Sequence, residues 1–232
     1  MIDIGQPRWW PLTGIFGVIL IGAGALLPGL PPPADAPAKD VLAYFQLNPR
    51  NVQLGAYLGG LGVVIWLWFS VAFFWVLRKT EVHAVWSLAY FGAVVMFAAV
   101  STVMSAPGVM LSQPFMKSSD GSLTLAFYSF FNMGSALASF AGALVCVAAS
   151  ILILRSAIIA RWIGWLGMLC AFLLWAGASG LYIASGPFAA NGPETLGAVL
   201  LYAIWTFAIA IALMLKRTRG PAMYPEAESR SA

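Results

Sequence analysis

Charge is what this chain has least of. Only 9% of its 232 residues are Asp, Glu, Lys or Arg, against 61% hydrophobic, and the mean hydropathy is +0.88. A soluble domain carries about 25% charged residues because its surface must meet water. This chain has nowhere to put so much apolar surface except lipid. Histidine occurs once, at His83, and cysteine twice, at Cys146 and Cys170. Haem held within a membrane commonly takes paired histidines and zinc takes three or four clustered ligands, so a b-type cytochrome or a membrane metalloprotease lacks its ligands here. His83 reads as a solvated loop residue. Both cysteines fall inside apolar runs, without metal-site spacing or the pattern of a secreted disulfide scaffold, and read as small packing residues. No cofactor and no metal is expected.

The apolar runs lack titratable groups as well. Six stretches, 11–30, 54–77, 84–106, 123–154, 162–185 and 196–215, contain no Asp, Glu, Lys, Arg or His. A bilayer core of about 30 Å needs roughly twenty helical residues, so each can span it. Continuous apolarity favours helices over barrel strands, which alternate in pieces of about ten residues. The expected fold is therefore all-α, a polytopic bundle of six spans. Ionisable side chains inside a membrane mark proton relays, ion sites and substrate paths. Without them, proton- or cation-coupled transport loses its usual machinery. Ser101, Ser105, Ser135 and Ser139 have no base in the membrane to activate them as nucleophiles. Asp35, Asp40, Asp120 and Glu194, all assigned to loops on the outer side, could pair as acid and base, but nothing in the sequence fixes their geometry.

What charge there is sits at the segment ends. Arg8, Arg78, Lys79, Arg155, Arg161, Lys216, Arg217, Arg219 and Arg230 fall on one side of the six-span arrangement, and only Lys39, Arg50 and Lys117 on the other. That asymmetry places both termini in the cytoplasm. Trp9, Trp10, Trp75, Trp86 and Trp162 then suit an aromatic belt at that interface. The net charge of +4 and pI near 9.3 are a topology signal, because the basic residues form no stripe of the kind nucleic acid requires. Arg8 ahead of an apolar run and Ala34-Asp35-Ala36 resemble a signal peptide and its cleavage site. Pro37 would follow the cut, however, and a retained first helix is the better reading. Residues 1–220 are expected to form one transmembrane bundle, and 221–232 a disordered cytoplasmic tail.

Between the first two spans, Ala38, Val41, Leu42 and Phe45 recur at helical spacing opposite Lys39, Asp40 and Gln46. This predicts a short amphipathic helix over 37–47, lying on the outer membrane surface or capping the bundle, with Pro37 in its first turn and Pro49 ending it. Pro28, Pro107 and Pro187 recur at spacings of 79 and 80 residues near outer helix ends, as three hairpins of one plan would place them.

Small residues supply the packing signal. Gly55, Gly59 and Gly62, with Gly60 beside them, mark one face of the second span, and Gly134, Ala138 and Gly142 mark the fourth. Ala176, Gly180 and Ala184 repeat the spacing in the fifth. In lipid such faces let backbones approach, and they read as internal helix contacts. Asn132 is the most polar side chain in any span. With Tyr128, and with Tyr57 and Tyr182 as neighbours, it is open to two readings: an interhelical hydrogen bond, or a polar handle at the mouth of an apolar cavity that binds a lipid or isoprenoid head. Trp66, Trp68, Trp175 and Trp205 lie well inside spans, where they either fill the bundle or line a pocket for a long apolar ligand.

The segments AYFQLNPRNVQLGAYL (43–58) and RWIGWLG (161–167) resemble a broad group of uncharacterised bacterial membrane proteins. In that group an AYFxxNxxxVxLGAYL segment leads into the second helix and an RWLGWLG-like turn opens the fifth. The resemblance covers most of residues 12–185 and implies a six-helix or similar bundle of unknown function, without established site residues; the expected location is the bacterial cytoplasmic membrane. The expectation for function is a non-enzymatic accessory or scaffolding subunit, with membrane lipids, other membrane subunits or a second copy as partners. Its rival is a passive channel or facilitator for a small neutral solute, lined by groups such as Ser101, Thr102, Ser105, Asn132, Ser135, Ser139 and Thr206.

Overall fold

Proline and glycine set the helix ends. A computed structural model describes residues 9–79, 84–118, 120–156, 158–183, 185–190 and 192–218. Arg8, His83, Ala184, Arg219, Arg230 and the 221–232 segment lie outside the described residues. Seven α-helices are seen among the described residues: α1 (Trp10–Leu26), α2 (Ala38–Leu47), α3 (Pro49–Arg78), α4 (Val85–Leu111), α5 (Gly121–Ser156), α6 (Arg161–Gly177) and α7 (Pro193–Thr218). Short 3₁₀ turns, Pro114–Ser118 and Ala178–Leu181, follow α4 and α6. Pro11, Pro49 and Pro193 open α1, α3 and α7, where the missing N–H is no loss. Pro37 precedes α2 in an extended conformation, and Asp40 in the first turn suits the positive end of the helix.

Several boundaries depart from the apolar runs. α1 stops at Leu26 rather than 30, because Pro28 cannot continue it and Gly29 takes a φ of 84°. α3 starts at Pro49, straight after α2, rather than at 54. α4 runs through Pro107 to Leu111 instead of ending there. α6 gives way to its 3₁₀ turn at Ala178 and does not reach 185. Pro28, Pro107 and Pro187 therefore stand in unlike places: behind α1, inside α4 and in the α6–α7 connection. The equal spacing that suggested three like hairpins has no structural counterpart at these prolines.

The six longer elements close into a ring. α1 packs on α3, α3 on α4, α4 on α5, α5 on α6, α6 on α7, and α7 returns to α1. Arg78, Arg155, Arg161 and Lys216 mark one end of the ring, its basic end, where Lys216 Nζ donates to the Ile158 carbonyl at 2.6 Å. α2 covers the other end, packed on α3, α4 and α5. Among the described residues five helices are long and apolar enough to cross a membrane, and α1, at 17 residues, is apolar but shorter. The architecture is that of a helical, multi-pass membrane bundle. At 36 residues α5 is about 54 Å long, more than a bilayer core of about 30 Å requires. Its projecting start is the surface on which α2 docks.

Glycine makes the tightest seam. A Cβ built on Gly24 would lie 2.5 Å from the Gly55 carbonyl oxygen, one on Gly62 would lie 2.8 Å from that of Gly17, and one on Gly17 would lie 2.8 Å from the Trp66 nitrogen. The predicted face of α3, Gly55 and Gly62 with Gly59 under Gly24, is thus matched by a face on α1. Backbone contact this close is what holds helices together where lipid is as apolar as the side chains. On α5, Gly134 and Gly142 seat side chains instead: Met104 lies against Gly134, and Leu174 and Phe97 against Gly142. Ala138 between them is half-buried.

Candidate functional site

Three rings meet inside the helical ring. Trp66 of α3, Phe97 of α4 and Tyr202 of α7 have centroids 5.5, 6.2 and 5.6 Å apart, and Tyr202 continues to Trp205 at 5.8 Å. Towards the basic end, Trp10, Phe69, Phe73 and Tyr90 follow one another at 5.7 to 6.0 Å. Trp10 is buried, packed at a tilt against Phe69, and not part of an interfacial belt. Trp205 Nε1 donates to the Ile163 carbonyl at 3.0 Å. Cys146 and Cys170 are buried free thiols in this core, as packing residues should be. Three polar atoms among the aromatics have no hydrogen-bond partner among the described residues: Trp10 Nε1, Ser150 Oγ and Tyr202 Oη.

A second cluster lies under α2. Val41 and Phe45, the apolar face of the amphipathic helix, are buried against Val52, Leu111, Met116 and Tyr128. Gln46 Nε2 donates to the carbonyls of Leu111 at 2.8 Å and Gln113 at 2.9 Å, so α2 is bonded to the end of α4. Tyr44 Oη donates to the Gly29 carbonyl at 2.8 Å, and Tyr128 Oη donates to the Pro32 carbonyl. Of the two placements predicted for this helix, capping the bundle is the one observed.

The expected contact set is therefore not one site. Tyr128 is buried and its hydroxyl ties down the proline-rich segment, while Asn132, one turn further along α5, is also buried. Tyr57 and Tyr182 are 68% and 81% exposed and do not join them. Trp66 is in the core, but Trp68 is 58% exposed on the outside of the ring, and Trp175 likewise faces outward. Four of the hydroxyls proposed as pore lining bond their own helices: Thr102 to the Ala98 carbonyl, Ser105 to that of Thr102, Ser139 to that of Ser135 and Thr206 to that of Tyr202. Of the acids, Asp35, Asp40 and Asp120 are exposed. Asp120 accepts from Ser122 Oγ at 2.6 Å, which holds its carboxyl below the usual carboxylate range. Among the described residues no three His, Cys, Asp or Glu gather as a metal site would require.

Glu194 is the residue that sequence reasoning misplaced. It is not in a loop but in the first turn of α7. The residue as a whole is half-buried, yet both carboxylate oxygens are covered and have no hydrogen-bond partner among the described residues. Gly177, at the end of α6, forms one wall: a Cβ there would sit 3.1 Å from Glu194 Oε2. A signal did exist, because Glu194 is the only charged residue between Arg161 and Lys216. Comparison with protein-family models, with curated proteins and with solved structures finds no match to this chain.

Proposed function

We propose that this protein is a non-catalytic scaffolding or accessory subunit of a membrane complex, crossing the bacterial cytoplasmic membrane six times with both ends in the cytoplasm. It works through the outside of its ring, where it holds lipid or a neighbouring membrane subunit. The observation that carries this reading is the filled interior. Trp66, Phe97 and Tyr202 occupy the middle of the ring, and α2 covers one end with its hydrogen bonds directed at backbone carbonyls. Passive conduction of a solute needs a continuous lined path, and this aromatic plug speaks for the closed alternative.

The surface that remains is rich in large apolar groups. On α6, Trp162, Trp165, Leu169, Phe172 and Trp175 recur every three or four residues, each more than half exposed, opposite the buried Ile163, Gly167, Cys170 and Leu174. Purification in mild detergent followed by native mass spectrometry tests the proposal. A stoichiometric protein partner or retained lipid is expected, and a Trp165→Ala/Phe172→Ala variant should lose it while remaining folded. A clean monomer without lipid would overturn the scaffold reading. Flux of a small neutral solute in proteoliposomes would favour a facilitator instead.

A further inference from the structure

Glu194 stands apart from everything the scaffold reading uses. Its two carboxylate oxygens are covered although they belong to the first turn of a helix, and no described residue bonds to them. The connection from α6 folds back and is bonded to this same turn. The Glu194 amide donates to the Pro187 carbonyl at 3.3 Å, and the Thr195 hydroxyl donates to that of Ala189 at 3.3 Å and is thereby engaged elsewhere. Ala189 and Ala190 are buried, and Ala190 presses on Gly180, where a Cβ would come within 2.7 Å of its nitrogen. Gly186, at a φ of 93°, lets the chain turn back.

The charges that could balance an ionised Glu194 are missing. α6, its 3₁₀ turn and the connection, residues 162–193, contain no Asp, Glu, Lys, Arg or His, and neither does α5 from 121 to 154. The titratable groups on those elements are Tyr182, which is exposed, Cys146 and Cys170, which are in the core, and Tyr128, whose hydroxyl bonds to Pro32. On α7 the nearest is Tyr202, two turns further along, and the described part of α1 has no charge at all. One effect favours the anion, the positive end of α7, and it is weak beside the cost of covering an unpaired carboxylate.

We infer that Glu194 is a proton-binding site at the mouth between α6 and α7. It is an un-ionised carboxylic acid while the 185–190 connection is folded over it, and losing its proton to water lifts that connection. The site would give an otherwise inert bundle a response to pH on the face where α2 lies. This goes beyond scaffolding and stands or falls separately from it.

Two measurements on the full-length protein in nanodiscs decide the matter. Infrared titration of the wild type should show the carbonyl band of an un-ionised acid at neutral pH, lost as the pH is raised further, and absent at neutral pH from Glu194→Gln. Dicyclohexylcarbodiimide, which attacks protonated carboxyls in apolar surroundings, should label Glu194 at pH 7 and leave Asp35, Asp40 and Asp120 unmodified. Amide exchange of the 185–190 segment, corrected for intrinsic rates, should rise at least tenfold in the wild type as the band disappears, and stay flat in Glu194→Gln. Absence of the band and of labelling at neutral pH would overturn the proposal, whether or not the variant folds. So would a band that titrates without any change in exchange.

Discussion

At Gly24 a single methyl group would arrive 2.5 Å from the Gly55 carbonyl oxygen, and at Gly60 the same methyl would meet nothing within 4 Å. The two positions make opposite predictions from one substitution. Gly24→Ala must push α1 off α3, and overpacking of this kind costs about 1–3 kcal/mol. Gly60→Ala should be neutral or stabilising by up to about 1 kcal/mol, since alanine is the better helix former. Unfolding in detergent followed by tryptophan fluorescence will rank them, and equal effects would mean the seam is not where it is placed. Tyr44 of α2 supplies a pH dependence. Burial raises its phenol above the ordinary value of 10.0, and its neutral hydroxyl donates to Gly29. The folded state therefore prefers the protonated phenol. Its contribution is fully present below the unfolded value and is lost as pH rises past it. Wild type should lose stability above about pH 10 in a component that Tyr44→Phe lacks, and identical alkaline profiles would refute this.

α2 shows at the level of an element how burial and hydrogen bonding divide the work. Phe45 anchors it in the capping cluster, and Gln46 fixes its register against the end of α4. Truncating a buried Phe to Ala costs about 3–5 kcal/mol, more than a ten-residue helix can recover from its own propensity. Phe45→Ala should therefore expose residues 38–47 to amide exchange while α4, α5 and α6 keep their protection. Loss of protection throughout would show that the cap is integral to the bundle rather than an addition to it. This helix was legible in the sequence because its period and its flanking prolines are local facts. The glycine face of α3 was legible for the same reason, but its partner on α1 was not, since Gly14, Gly17 and Gly24 acquire meaning only from what lies opposite. Rotation about an axis was hidden too. Trp66 and Trp68 are two residues apart, about 200° around a helix, so one enters the core and the other faces out. Glu194 was misjudged because its surroundings are long-range: Gly177 lies beside its carboxylate and Pro187 accepts from its amide, and no local pattern announces either.

For the whole molecule the open question is how many times the chain crosses the membrane, and it turns on α1. Seventeen residues make a helix of about 26 Å, slightly short of a bilayer core of about 30 Å. α1 nevertheless does not stand alone: Gly14 lies against Phe69, Gly17 against Trp66 and Gly24 against Gly55, so it runs antiparallel along much of a helix that is long enough to cross. Ring closure through α7 holds its other side. A helix fixed to two crossing neighbours at matching heights has little choice but to share their depth, its short end being extended by the proline-rich segment beneath α2. Single cysteines placed at the exposed positions Trp9, Asp35, Lys79, Asp120 and Arg161 can report this with a membrane-impermeant maleimide. The native Cys146 and Cys170 are fully buried and should give little background. Six crossings put 35 and 120 on the outer face, labelled in intact cells, with 9, 79 and 161 reacting only after the membrane is opened. If α1 lies along the surface instead, position 9 will react together with 35, and the ring will have to be redrawn around five spans.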